Sequence, residues 1–220
     1  MIAIVVVSQP ILRHYKKPDK VRNYAEKIVV SSQHLLSLIN DVLDMSKIES
    51  GKTTLNLCDV NLADIINETD NIIRPQAKKK NQTFVVKSDG VEYCCITADK
   101  LRLSQILINI LSNAVKYTEE GGNITFEIKE IKVTNPQIVK YKFIISDNGI
   151  GMSEEYLKDI FKPFTREETS LTDAVQGTGL GMAITKNLID LMGGTIKVLS
   201  TQGVGTTYEV TMEFRIADIN

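Results

Sequence analysis

The sequence predicts an α+β protein in which a helical hairpin precedes a two-layer sandwich, one sheet covered on one face by helices. Three observations carry this expectation. Residues 19–49 place apolar side chains at helical spacing and contain neither glycine nor proline. Three later segments, 124–128, 139–145 and 208–214, alternate apolar and polar residues, the period of half-buried strands. Helical stretches are interspersed with these strands without a strict strand–helix–strand rhythm, which disfavours a doubly wound parallel sheet. A chain of 220 residues is long enough for one large core or two modest ones. Residues 1–53 are expected to form the hairpin and 54–220 the sandwich.

Ile2 to Tyr15 reads as a short helix, with Pro10 kinking it or delaying its start. Lys16-Lys17-Pro18-Asp19 reads as a turn, with Asp19 as N-cap of the long helix. Val21, Tyr24, Ile28, Ser31, Leu35, Leu38, Val42 and Met45 then alternate steps of three and four, a heptad seam. Val29, Leu36, Ile39 and Leu43 form a second stripe beside it, giving the wide apolar face of a bundle helix. So much apolar surface on a hairpin is expected to pair with a second copy of itself. Ser50-Gly51-Lys52 ends the helix.

Leu55-Asn56-Leu57 alternates as a strand, and Asn61 caps a helix carrying Leu62, Ile65, Ile66, Thr69 and Ile73. Short strands come next at Phe84 to Lys87 and Tyr93 to Thr97, then a helix over 99–116. Residues 152–176 are polar, and a stretch of this length inside a compact domain reads as a lid or as disorder. Leu180, Ile184, Leu188 and Leu191 make a helix face that Gly193-Gly194 closes.

The formal charge of -1 argues against a nucleic-acid or polyanion binder. Cys58, Cys94 and Cys95 are odd in number and lack zinc-type spacing, so they read as free thiols of a reducing compartment. Met1 to Val7 is too short to span a bilayer and lacks the basic flank of a secretion signal. A soluble, cytoplasmic chain is expected.

Three motifs carry chemistry. Asn109-Ile-Leu-Ser-Asn113-Ala-Val-Lys116-Tyr117 places two amides four apart, on one helix face, with a lysine one turn beyond. Amide oxygens can ligate a hard cation such as magnesium, and lysine is a point charge for phosphate. A metal–nucleotide site and a satisfied buried amide ladder both fit this helix alone. Asp147-Asn148-Gly149-Ile150-Gly151-Met152 comes directly after a strand. Its carboxylate could accept an exocyclic amine such as that of adenine, and the segment also fits a hairpin turn with a helix cap. Gly177-Thr178-Gly179-Leu180-Gly181 opens a helix, where free backbone N–H groups can meet phosphate oxygens. It equally fits a flexible loop before an ordinary helix. No strand directly precedes it and it lacks Gly-Lys-Ser/Thr, which disfavours Rossmann and P-loop folds.

Together with Phe161-Lys162-Pro163-Phe164, these motifs resemble the N, G1, F and G2 boxes of bacterial sensor histidine kinases, in the family's order and spacing. Residues from about 55 to 215 resemble the family's Bergerat-type ATP-binding domain, a mixed sheet covered on one face by helices, shared with gyrase, mismatch-repair ATPases and a heat-shock chaperone. His34 to Gly51 resembles the second helix of the dimerisation domain. The resemblance implies ATP and Mg²⁺ as cofactors, a response regulator receiver domain as partner, and a homodimer through residues 1–50. It implies Asn109 as Mg²⁺ ligand, Asn113 as support for metal and phosphates, and Lys116 as a catalytic phosphate contact. Tyr117 would pack on base or ribose, and Asp147 would take the adenine amine. Gly149 and Gly151 would let the backbone close on the nucleotide. Gly177, Thr178, Gly179, Leu180 and Gly181 would flank the phosphates, and Arg166 would be the lid arginine for the terminal phosphate. A membrane would be reached only through segments upstream of this chain.

Two departures bear on mechanism. The family's ATPase relatives carry a glutamate general base where this chain has Asn109, and an amide cannot take a proton. Hydrolysis is therefore expected to be poor. The family's acceptor histidine lies in a Ser-His-Glu/Asp-x-x-Thr/Arg-Thr-Pro run, and this sequence holds only His14 and His34, neither followed by an acid and Thr-Pro. Met1 to Val5 resembles the family's stretch just after that run, so the hairpin is expected to be truncated there. The expected function is the ATP-binding catalytic portion of a sensor histidine kinase. A non-catalytic nucleotide-binding or scaffold module is the alternative, and a gyrase- or chaperone-type ATPase ranks below both.

Overall fold

The computed structural model describes residues 18–49, 54–92, 94–167 and 178–217. The expected helix at Ile2 to Tyr15, His14, Ser50-Gly51-Lys52, Tyr93, most of the second half of the polar stretch and Gly177 lie outside the described residues. Backbone contacts divide the chain into two compact units, 1–52 and 53–220.

The first unit contains α1, Pro18–Glu49. Asp19 is not its cap, since the helix already includes Pro18. Asp19 sits in the first turn, where its carboxylate complements the helix dipole. The seam residues Val21, Tyr24, Ile28, Ser31, Leu35, Leu38 and Met45 are half-buried. Val42 and the second stripe, Val29, Leu36, Ile39 and Leu43, are exposed.

The second unit runs β1 (Cys58–Asn61), α2 (Leu62–Lys79), β2 (Thr83–Lys87), β3 (Cys95–Ala98), α3 (Lys100–Tyr117), β4 (Asn123–Ile131), β5 (Ile138–Asp147), α4 (Glu154–Asp159), α5 (Gly181–Leu191), β6 (Thr195–Thr201) and β7 (Gly205–Ile216). The strands form one seven-stranded sheet in the order β1-β3-β7-β5-β4-β2, with β6 also on β7. Only β2 and β4 pair in parallel, so the sheet is mixed.

Alternation along the strands sorts the two faces. Ile124, Phe126 and Ile128 on β4, Val139, Tyr141, Phe143 and Ile145 on β5, and Tyr208, Val210, Met212 and Phe214 on β7 are buried. Leu103, Ile106, Leu107, Ile110 and Leu111 of α3, Ile65 and Ile73 of α2, and Ile184, Leu188 and Ile189 of α5 complete the core. The opposite sheet face is polar, with Lys140 paired to Glu213 at 2.7 Å and Lys142 to Glu209 at 3.3 Å across β5 and β7.

Both long helices of the second unit start where the sequence marks them. Asn61 Oδ1 accepts from the Ala63 N–H at 2.8 Å, and Asp99 Oδ1 from the Arg102 N–H at 3.0 Å. The expected strand at Leu55 to Leu57 is absent, and pairing begins instead at Cys58. The cause is Asp99, whose second oxygen accepts from the Asn56 N–H at 2.9 Å and so takes a donor that a strand ladder needs. The polar stretch is not uniformly irregular, since Ser153 Oγ accepts from the Tyr156 N–H at 3.2 Å and caps α4.

Candidate functional site

α3 presents its functional side chains at the margin of its buried face. Asn109, Asn113, Lys116 and Tyr117 are half-buried, beside the fully buried Ile106, Ile110 and Leu111. Asn109 Nδ2 approaches the Gly181 carbonyl at 3.5 Å and the Thr185 Oγ1 at 3.3 Å, both on α5. These long contacts orient the amide, because its nitrogen faces α5 and its carbonyl oxygen stays available as an acceptor. No hydrogen bond of the Asn113 side chain occurs among the described residues. A satisfied amide ladder between the two asparagines is therefore not what α3 contains.

Asp147 ends β5. The alternation that buries Val139, Tyr141, Phe143 and Ile145 puts Asp147 next in the same inward column. Its Oδ1 accepts from the Gly149 N–H at 2.9 Å, and the Thr206 N–H also donates to the carboxylate. Burial nevertheless outweighs these bonds and pushes the Asp147 carboxyl above the ordinary aspartate range. Buried Tyr208 lies close enough for the Asp147 charge to raise its phenol further, beyond the effect of burial.

The loop after Asp147 is stitched on both sides. The Ile150 N–H donates to the Tyr117 carbonyl at 3.1 Å, and the Gly203 N–H to the Ile150 carbonyl at 2.7 Å. Ser200 Oγ accepts from the Met152 N–H at 2.9 Å and donates to the Gly205 carbonyl at 3.1 Å. A side-chain carbon at Gly149 would overlap the Tyr117 carbonyl, and one at Gly151, where φ is 63°, would overlap the Thr201 carbonyl. Each of these glycines thus has a packing reason inside the protein, besides any approach to a ligand.

The opposite end of the site is cationic. Lys116 and Arg166 lie close enough that their like charges interact, and burial first, then Arg166, lowers the Lys116 ammonium below the usual lysine range. Lys116 Nζ stands 5.0 Å from the centre of the Tyr117 ring. Arg166 also acts on the Tyr117 and Tyr156 phenols, which burial raises. Glu167 Oε1 accepts from the Ser153 N–H at 2.9 Å, tying the segment that carries Arg166 to the start of α4.

α5 begins with no side-chain cap; its N-cap residue is Leu180. The Leu180 N–H is itself taken by Thr178 Oγ1 at 3.0 Å. Gly179 adopts φ 70° and packs against Phe164, whose N–H donates to the Gly179 carbonyl at 3.0 Å. Gly181 differs. Among the described residues a side-chain carbon there would meet nothing within 4 Å, so their packing does not demand glycine at that position. An uncapped helix start and two cations close enough for their charges to interact fit a polyphosphate. Among the described residues no three His, Cys, Asp or Glu side chains gather to hold a metal. A magnesium ion at Asn109 would therefore take most of its oxygen shell from phosphate and water.

Of the residues singled out in the sequence, Asn109, Lys116, Tyr117, Asp147, Gly149, Thr178, Leu180, Gly181 and Arg166 are linked by these contacts into one region. Tyr156, Ser200, Gly205, Thr206 and Tyr208 were not singled out. The signal for Gly205 was available: Gly203-Val204-Gly205 before an alternating strand is a hairpin mark. Tyr156 and Tyr208 had only apolar patterning, which does not separate a core tyrosine from one facing a site.

A family profile described as "Histidine kinase-, DNA gyrase B-, and HSP90-like ATPase" matches residues 98–216. A second, "His Kinase A (phospho-acceptor) domain", matches residues 3–51. The chain is 36% identical over 200 residues to the "Non-motile and phage-resistance protein" of Caulobacter vibrioides, covering 91% of this chain and 23% of that protein. It is 35% identical over 203 residues to the "Autoinducer 2 sensor kinase/phosphatase LuxQ" of Vibrio parahaemolyticus, covering 92% of this chain and 23% of that protein. The chain thus spans about a quarter of the length of these relatives. The crystal structure of full-length ShkA in complex with AMPPNP shares its fold, with TM-score 0.73 and 29% identity over 91% of this chain and 40% of ShkA.

Proposed function

The chain belongs to the sensor histidine kinase family, and we propose that it is the portion of such a kinase that binds ATP with Mg²⁺ and presents the γ-phosphoryl group to a histidine outside these 220 residues. The observation that carries this reading is the uncapped α5 start, whose Gly181 carbonyl meets Asn109, on the helix that also carries Lys116 with Arg166 nearby. In this reading Asp147 accepts the adenine amine. Tyr117 flanks the base or ribose, and Asn109 and Asn113 serve the metal. Lys116, Arg166 and the α5 backbone hold the phosphates, where a metal ion would neutralise charge on the transferred group. Gly149, Gly151, Thr178, Gly179 and Leu180 shape the pocket wall, and Gly177 belongs to the same loop outside the described residues.

Asn109 stands where the ATPase relatives are expected to carry glutamate, and an amide does not accept a proton. Binding energy is then spent on positioning, which is what phosphoryl transfer to a protein nucleophile needs. Residues 1–53 form the dimerisation hairpin of this proposal, and a response regulator receiver domain is the downstream acceptor. Use of ATP and the free thiols Cys58, Cys94 and Cys95 support a cytoplasmic setting. Among the described residues no helix is long and apolar enough to cross a membrane.

The histidine inventory favours a second reading, a nucleotide-binding module without transfer, since His14 and His34 lack the neighbouring acid and Thr-Pro. Labelled ATP separates the two. The 220-residue chain is expected to release phosphate slowly and to remain unlabelled by itself. It is expected to place acid-labile label on an added polypeptide carrying the acceptor histidine run. No label on that polypeptide would favour the module without transfer. Label on His14 or His34 would return the acceptor role to this chain, and rapid phosphate release would move it to the ATPases.

A further inference from the structure

The last turn of α3 carries Lys116 and Tyr117, and the final carbonyls of a helix have no partners within it. Here the carbonyls of Val115, Lys116 and Thr118 find partners in one short segment after α2. Lys80 Nζ donates to the carbonyls of Val115 at 2.9 Å, Lys116 at 2.9 Å and Thr118 at 2.8 Å. Gln82 Nε2 donates to those of Val115 at 3.0 Å and Thr118 at 2.7 Å, with a longer contact to Glu119 at 3.3 Å. The Ala114 carbonyl takes the Thr118 N–H at 3.0 Å, and the Tyr117 carbonyl takes the Ile150 N–H at 3.1 Å. Every carbonyl from Ala114 to Thr118 is engaged. The backbones are joined as well, with the Gly121 N–H on the Lys80 carbonyl at 3.0 Å and the Thr83 N–H on the Gly122 carbonyl at 2.8 Å.

Building on the ATP-site reading above, we propose that Lys80 and Gln82 are positioning residues for the nucleotide site. They act through the last turn of α3 on Lys116, Tyr117 and the loop after Asp147. An ammonium offers three donors from a compact point charge, which suits three carbonyls converging at the negative end of a helix. Gln82 is 8% exposed, so water cannot readily replace its amide at those carbonyls. The turn they fix is shared by both ends of the site. One side of it aims Lys116 at the cationic end. The Tyr117 carbonyl on its other side anchors Ile150, three residues beyond Asp147. A shift of this turn therefore moves the phosphate contact and the base contact together. A cap that merely stopped the helix would leave both where they are.

The test uses the full chain with Lys80→Met, Lys80→Arg and Gln82→Met, and with Ile73→Ala as a control. Ile73 is a buried core position on α2, outside this turn. ADP with Mg²⁺ is titrated calorimetrically at a temperature where each protein is folded, and melting temperatures are recorded. Lys80→Met is expected to weaken ADP binding roughly tenfold, because small misplacement of a contact is costly. Gln82→Met should weaken it by a smaller factor, and Lys80→Arg should bind within about twofold of wild type, since it keeps donors at those carbonyls. Ile73→Ala should lower the melting temperature without changing affinity. ADP affinity of Lys80→Met equal to wild type, or a loss that Ile73→Ala matches, would overturn the positioning role alone. Failure of the wild-type chain to bind ADP would overturn the site itself. If neither Lys80→Met nor Gln82→Met folds, the Lys80 Nζ resonance of the wild-type chain reads the same coupling. A shift on ADP binding is expected, and an unmoved resonance would count against the proposal.

Discussion

Asp147 sits under opposing demands. Burial holds its carboxyl above the ordinary range, while its proposed role is to accept a hydrogen bond from adenine. The native state therefore binds its proton more tightly than the unfolded chain does. Stability from this group is greatest below the ordinary aspartate range and is lost as pH rises through the raised pKa. An adenine amine donating to the carboxylate favours the ionised form, so ATP affinity should fall on acidification at a pH above the usual carboxylate range. Asp147→Asn should abolish that acid limb and weaken ATP by about 1–3 kcal/mol, since the amide turns a donor toward a donor. Lys116 gives the opposite limb. Burial and Arg166 lower its pKa, so affinity should decline with rising pH before an ordinary lysine would titrate. Lys116→Met should flatten that decline. Calorimetric titrations across pH on wild type and both variants check these limbs, and unchanged profiles would remove both residues from the site.

At the scale of elements, glycines divide into those the fold needs and those it does not. Gly205 adopts φ 138°, and a side-chain carbon there would overlap the Asp147 carbonyl. Gly205→Ala should destabilise the chain by about 1–3 kcal/mol through backbone strain. Gly181 is helical and no described residue would meet a side-chain carbon there, so Gly181→Ala should stabilise α5 by roughly 0.5–1 kcal/mol. If phosphates approach that helix start, the same substitution should weaken ATP. Thermal melts with and without ATP test the pair. A Gly181→Ala variant that is more stable and binds ATP normally would argue against a phosphate site there.

The same contrast explains what was legible in the sequence. α3 and the alternating strands were readable because one period runs through each and the core rewards it. Asn61 was readable as a cap because its chemistry is local. Asp99 stood in the sequence only as the start of a helix, and its second oxygen captures Asn56 from a distant segment, which no local pattern at Leu55 to Leu57 announces. β6 was missed because its inward residues are only half-buried, which blurs the alternation. The carbonyl contacts of Lys80 were invisible for the same reason as those of Asn56: a lysine in a basic run shows nothing of what it meets thirty-five residues later.

Over the whole molecule, the two units divide the proposed labour. The sheet-and-helix unit holds every described contact of the candidate site. α1 carries a half-buried seam beside the exposed stripe of Val29, Leu36, Ile39 and Leu43, the surface expected of a helix that pairs with a second copy. Sensor histidine kinases are the family, and the chain spans about a quarter of the length of the curated relatives it matches. The proposal for this chain by itself is a magnesium-dependent site selective for adenine nucleotides. The most direct test is calorimetric titration of the 220-residue chain with ATP and with GTP, each with and without Mg²⁺. The account predicts saturable binding of ATP that weakens when the metal is withheld, and much weaker binding of GTP, whose ring carbonyl would face the Asp147 carboxylate without a donor. Equal affinity for the two nucleotides, or no ATP binding at all, would contradict it.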